Sequence, residues 1–283
     1  MNFEKWQALG NGYVIVEDRE LPFELTPARI RKLCDRHFGI GSDGILLLSQ
    51  TDAPGVVAHL RIFNPDGGEA ELSGNGAREA VLYLRRRGWT DVDTFSITTV
   101  AGEVRPTITG SSTCTVDMGR ARLQSDDYPG GAADGIGELH ANGDTWRFQH
   151  VKIGNPQCSI RVADLATLQG LELPAIGPGI ERNEVFPNRT NVSWYTPLAP
   201  DTIRARIFER GVGEDLASGT GATGAAVAHV LAGGDSPVTV ILDGGELSVE
   251  VGEDLHINLT GWAVPVMRGT LADELLEELR ATE

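Results

Sequence analysis

Residues 61–80 read RIFNPDGGEAELSGNGAREA and residues 206–225 read RIFERGVGEDLASGTGATGA. Aligned without a gap at an offset of 145, ten of these twenty positions are identical, Ser73/Ser218, Gly74/Gly219 and Gly76/Gly221 among them. A second echo keeps the same order at almost the same spacing: LGNGYVIVED at 9–18 and IGNPQCSIRV at 153–162, pairing Gly10 with Gly154 and Asn11 with Asn155. A period this long exceeds any solenoid unit. It describes two copies of one domain, and no other feature restricts the fold as much.

Within each copy, short β-rich runs bounded by Gly, Asn, Asp or Pro dominate: GYVIVED, GILLLSQ, AHLRIFN and FSITTV in the first, CSIRVAD, NVSWYTP, IRARIFE and PVTVILDG in the second. Helices are fewer. Thr26 is a good N-cap with Pro27 at the first helical position, and Ile30, Leu33, Cys34 and His37 follow on one face until Gly39. Two more are expected after the glycine turns, at 77–88 and 222–233, the second apolar enough to be buried. LADELLEELR near the end is amphipathic and acidic. The expected class is α+β: two pseudo-symmetric domains, each a mostly antiparallel sheet or barrel around a central helix. The first spans residues 1–119, with 264–283 packing back on it, and the second spans 120–263.

The chain of 283 residues is long enough for such a pair. Forty acidic against 24 basic side chains give a net charge of −16, which repels phosphate backbones and makes nucleic acid and anionic membranes poor partners. No apolar run approaches the ~18 residues of a membrane span, and the first residues lack a basic segment followed by an apolar one, so a cytoplasmic location is expected. Cys34, Cys114 and Cys158 lie too far apart for a disulfide framework or a CxxC metal site and are expected as buried thiols. No cofactor and no metal are expected. There is no GxGxxG after a strand and no ligand cluster. Of the three lysines a pyridoxal-phosphate Schiff base would need, Lys5, Lys32 and Lys152, none accompanies a phosphate loop.

Each copy runs from a strand through a polar glycine loop and Ser-Gly-Asn/Thr-Gly-Ala into a helix. Glycines let the chain approach a ligand, and the N–H groups opening a helix attract an anion, a carboxylate being the natural small one. Two such turns facing across a cleft would grip one ligand from both sides. They also suit inversion of a stereocentre, in which one group takes a proton from one face and another delivers one to the opposite face. Ser73 and Ser218 hold the matching positions. Glu69 and Glu214, close to them in sequence, could serve as helper bases but are expected rather in helix packing or turn bonding.

Over nearly the whole chain the sequence resembles the diaminopimelate epimerase family, through ALGNGYVIV, LCDRHFGIGSDGILL, FNPDGGEAELSGNGAR, IGNPQC, FPNRTNVSW, FERGVGEDLASGTGA and LTGWA in that order. The resemblance implies a homodimeric isomerase of the lysine and cell-wall pathway that works without pyridoxal phosphate. It would interconvert LL- and meso-diaminopimelate by two-base α-proton transfer between its domains. It carries substrate contacts onto Asn11, Asn64, Gly74, Asn75, Asn155, Asn191, Glu209, Arg210, Gly219 and Thr220. In these roles Arg210 would hold a carboxylate and Glu209 would answer an ammonium.

The family's two acid/base cysteines are both serine here, Ser73 and Ser218. A thiol has a pKa near 8.5 that a helix N-terminus lowers further; a hydroxyl is a far weaker acid and needs an adjacent base. The histidine usual in the family's Gly-Asn-Pro motif is Gln157, an auxiliary position. Glu79, one residue past Arg78, and Asp215 bring negative charge towards the anion-binding turns or else face solvent. These departures leave two other readings open: a related isomerase, dehydratase or cyclase acting on a more acidic carbon–hydrogen bond, or a binding relative without turnover.

Overall fold

The computed structural model describes residues 1–71 and 73–282. The chain divides into two compact units, Met1–Val116 with Gly261–Glu283, and Asp117–Thr260. In the first unit lie β1 (Asn2–Ala8), β2 (Asn11–Glu17), α1 (Pro27–Cys34), β3 (Gly44–Ser49), β4 (Val56–Phe63), β5 (Glu69–Ala70), α2 (Gly74–Arg86), β6 (Ser96–Thr99), β7 (Gly102–Val104) and β8 (Pro106–Ile108). Strand β9 (Thr113–Arg120) carries the chain onward. The second unit holds β10 (Ile136–Ala141), β11 (Asp144–Ile153), β12 (Asn155–Arg161), α3 (Leu165–Gln169), α4 (Leu173–Glu181), β13 (Asn191–Ala199), β14 (Thr202–Glu209), β15 (Gly213–Asp215), α5 (Gly219–Leu231), β16 (Val238–Leu242) and β17 (Gly245–Val251). Strand β18 (His256–Trp262) leads back to β19 (Val264–Thr270) and α6 (Asp273–Ala281).

The repeat in sequence is a repeat in topology. The first unit's sheet runs β19-β1-β2-β3-β4-β6-β7, and the second unit's begins β10-β11-β12-β13-β14-β16-β17 before continuing into β18 and β9. In both, the third and fourth strands are parallel (β2/β3, β12/β13), the next pair is antiparallel, and the next is parallel again (β4/β6, β14/β16). The remaining pairs within these matching stretches are antiparallel. The ribbons β5 and β15 hang from β4 and β14 at matching places. Each sheet is thus mixed but mostly antiparallel, as the sequence implies.

Both faces of each sheet are covered, so β2 is buried from Gly12 to Glu17 rather than alternating with solvent. Alternate side chains still go to opposite faces. Val14 and Val16 join Ile30, Leu33, Ile45, Leu276 and Leu279 in a core under α1 and α6, whereas Glu17 accepts a hydrogen bond from Tyr83 of α2. In the second unit α3 and α4 close one core over Phe148, Cys158, Ile160 and Trp194. The other face receives α5, buried almost throughout as its composition predicts. There α5 passes so close to the sheet that a Cβ on Gly224 would lie 2.8 Å from Cβ of Gln157. All three cysteines are free and buried.

Three expectations need correction. Helix α1 ends at Cys34, because the Asp35 side chain accepts the N–H groups of His37 and Phe38 and turns the chain away; His37 is therefore exposed rather than on the helical face. The glycine-turn helices begin three residues earlier than expected, at Gly74 and Gly219, since the serines themselves are their N-caps. Glu69 and Glu214 neither pack helices nor bond turns. They pair with Arg61 and Arg206, each across the β4/β5 or β14/β15 ribbon.

Candidate active site in two half-sites

Ser73 and Ser218 have nearly superposable backbones, φ −128°, ψ 123° and φ −129°, ψ 124°. In each the hydroxyl oxygen accepts the N–H three residues on, Gly76 at 3.1 Å and Gly221 at 3.2 Å. This is the N-cap bond, worth about 1 kcal/mol to its helix. It fixes the oxygen over the helix opening, with the first-turn N–H groups of Gly74 and Asn75, or Gly219 and Thr220, beside it outside the i→i−4 ladder. A small anion is stabilised at such an opening by those donors and by the helix dipole.

The partners of the two hydroxyls differ. Ser218 is buried and bonded to the carboxylate of Glu209, the last residue of β14. Gly221 N–H occupies one lone pair of the Ser218 oxygen. Burial pushes Glu209 above the ordinary carboxylate range, the bond from Ser218 pulls it down, and neighbouring Asp215 pushes it up again. The Thr220 hydroxyl lies 3.5 Å from Ser218 Oγ. Glu209 therefore stands next to the hydroxyl, where a hydroxyl acting on carbon would need a base.

Ser73 is half-buried, and the hydroxyl of Tyr13 donates to it at 3.2 Å. The Tyr13 ring reaches this place because Gly44 offers no side chain: a Cβ there would lie 2.6 Å from the ring. Tyr13 is absent from the residues picked out by sequence, although the second echo aligns it with Gln157, two residues beyond Asn11 and Asn155.

The remaining residues group within their own halves. Asn75 Oδ1 accepts from the buried guanidinium of Arg78. Asn11 opens β2, and Asn64, exposed at the end of β4, is turned by backbone bonds to Gly67 and Gly68. In the second unit the buried Gln157 donates to Asn155 Oδ1 at 2.6 Å, and its Oε1 has no hydrogen-bond partner. Asn191 is buried and accepts the backbone N–H of Arg210 at 2.7 Å, while the exposed Arg210 side chain donates to the Asn188 carbonyl.

Glu79 is neither on the anion-binding turn nor in solvent. It is fully buried on α2 and accepts the backbone N–H of Tyr13 at 3.3 Å. Burial drives its carboxyl far up, towards the neutral form, against the opposing pull of Arg78 and the backbone donors.

Among the described residues no group of three His, Cys, Asp or Glu is placed to hold a metal ion, and no helix is long and apolar enough to cross a membrane.

Comparison with known proteins agrees with this architecture. The profile described as diaminopimelate epimerase matches residues 3–124 and 149–269. Diaminopimelate epimerase 2 of a Nostoc species is 40% identical over 282 residues, covering 97% of each chain. The diaminopimelate epimerase of Pelotomaculum thermopropionicum is 39% identical, covering 95% of this chain and 98% of its own. Among solved structures, a Bacillus anthracis phenazine biosynthesis protein of the PhzF family superposes with a TM-score of 0.68 at 19% identity, covering 96% of this chain and 99% of that one. A hydroxyproline epimerase from Agrobacterium vitis gives 0.65 at 14%, covering 95% and 91%. These two share the fold. The sequence relatives and the profile, spanning both halves, place this chain in the diaminopimelate epimerase family.

Proposed function

We propose that the protein interconverts LL- and meso-diaminopimelate, with Ser73 and Ser218 acting on opposite faces of the α-carbon. The observation that carries this reading is the half-buried Glu209 carboxylate set against the Ser218 hydroxyl, near enough for the serine to pull its carboxyl down. As the Ser218 oxygen takes the α-proton, its own proton passes to Glu209, so no free alkoxide has to form. Ser73 delivers a proton from the other side. The substrate carboxylate meets the N–H groups opening α2 and α5, and Asn11, Asn64, Asn75, Asn155, Asn191 and Arg210 hold its polar ends. Gln157 keeps Asn155 oriented.

We propose further that the protein is cytoplasmic and works as a homodimer. Strand β19 ends its sheet and exposes Val266 and Met267 along that edge; an unpaired edge of this kind favours a second copy. Sedimentation would show a single dimeric species.

The function is tested by incubating the protein with LL-diaminopimelate in heavy water and following the α-proton by NMR, beside the Ser73→Cys/Ser218→Cys variant. Loss of the α-proton signal is the expected result for the wild type. No exchange and no calorimetric binding by either protein would exclude diaminopimelate as the substrate.

A further inference from the structure

The two serines are wired oppositely. Ser218 gives its hydrogen bond to an acceptor, Glu209, whereas Ser73 receives two, from Gly76 N–H and from the Tyr13 phenol. While Tyr13 keeps its proton, both lone pairs of the Ser73 oxygen are engaged, so in that state Ser73 is set to give a proton rather than take one. The first half-site is therefore built as an acid and the second as a base.

We propose that Tyr13 is a proton-relay residue acting through Ser73, which makes a serine usable where a thiol would otherwise be required. The inference rests on the epimerase reading above. In the delivery step the Ser73 O–H bond breaks as the C–H bond forms at the carbanion. The Tyr13 O–H bond breaks as a new Ser73 O–H bond forms. One proton reaches carbon, and the negative charge passes from the carbanion to the Tyr13 oxygen. A phenol, with a reference pKa near 10, holds that charge far more readily than an aliphatic hydroxyl. In the reverse direction the Tyr13 phenolate takes the Ser73 proton while Ser73 takes the α-proton.

The surroundings of Tyr13 are shaped to keep its hydroxyl there. Its backbone N–H is held by Glu79 of α2, the same helix that Ser73 caps. Its ring occupies the space left by Gly44. Gly12, the preceding residue, is tied to the Asp43 carboxylate at 2.7 Å. Glu79 and Ser73, two of the positions at which the sequence departs from its family's pattern, thus both converge on Tyr13, one at its backbone and one at its hydroxyl.

The test is a double-mutant cycle. Tyr13→Phe keeps the ring and removes only the hydroxyl, so folding is retained and can be checked by thermal melting. In the wild-type background it is expected to lower kcat about 100-fold, the scale of one proton-transfer group, with KM unchanged. In the Ser73→Cys background, where the thiol supplies its own proton, the same substitution is expected to cost less than about threefold. An equal loss in both backgrounds would mean that Tyr13 only supports the fold, and the relay would be wrong. Turnover by Ser73→Cys/Ser218→Cys with none by the wild type would also overturn the relay, leaving the substrate reading intact. Absence of both exchange and binding in every variant would remove the epimerase reading and the relay with it.

Discussion

Ser218 and Glu209 form a hydroxyl–carboxylate pair inside one half of the molecule, the serine fixed by its N-cap bond to Gly221 and the glutamate at the end of β14. The serine oxygen is fixed by the same bond that starts its helix, so the geometry of the half-site follows from local helix formation.

Replacing Glu209 by Gln leaves the shape but removes the base. Solvent exchange of the substrate α-proton should fall by about 10²–10⁴-fold, while calorimetric binding persists. Because burial holds Glu209 above the usual carboxylate range, wild-type kcat/KM should rise with pH along a limb lying above that range, as the basic form accumulates. The limb should vanish in Glu209→Gln.

Ser73→Ala and Ser218→Ala each remove an N-cap acceptor. Each should destabilise the protein by about 1 kcal/mol, in line with measured cap losses, as well as abolish turnover. Thermal melting separates the two effects, since Glu209→Gln should lower turnover with the cap intact.

A glycine-to-alanine change inside a helix normally stabilises it by up to about 1 kcal/mol. At Gly224 the sign should reverse, because the new methyl would meet Cβ and Cγ of Gln157 at 2.8 and 2.9 Å, and neither is the free end of a side chain. A loss of about 1–3 kcal/mol is expected, typical of overpacking. A melting temperature above wild type would show that α5 can move off the sheet.

His150 is fully buried beside Tyr128 and Phe186, with its Nε2 2.9 Å from Ser125 Oγ, and burial lowers its pKa to about 4. The unfolded chain takes up this proton near pH 6.5, the folded one only near 4. The folded state is therefore favoured fully above about 6.5 and loses about 3 kcal/mol as pH falls to 4. Melting curves over that window should show the decline, and His150→Gln should flatten it.

The internal repeat established two homologous halves and the equivalence of Ser73 with Ser218, and the local runs added the β-rich halves and the buried second glycine-turn helix. All of these depend on local pattern: turn residues, hydrophobic period and a cap residue before a helix. The partners of the serines could not be read the same way. Glu209 lies nine residues before Ser218 and Tyr13 sixty before Ser73, and which side chain meets which hydroxyl depends on how β14 and β2 are placed against α5 and α2. Glu79 shows the same limit, a carboxyl that in sequence reads as charge near the glycine turn or in solvent and is buried against a strand N–H in the fold. Sequence determined where the two hydroxyls stand; the packing of helix on sheet decided that one would face a carboxylate and the other a phenol.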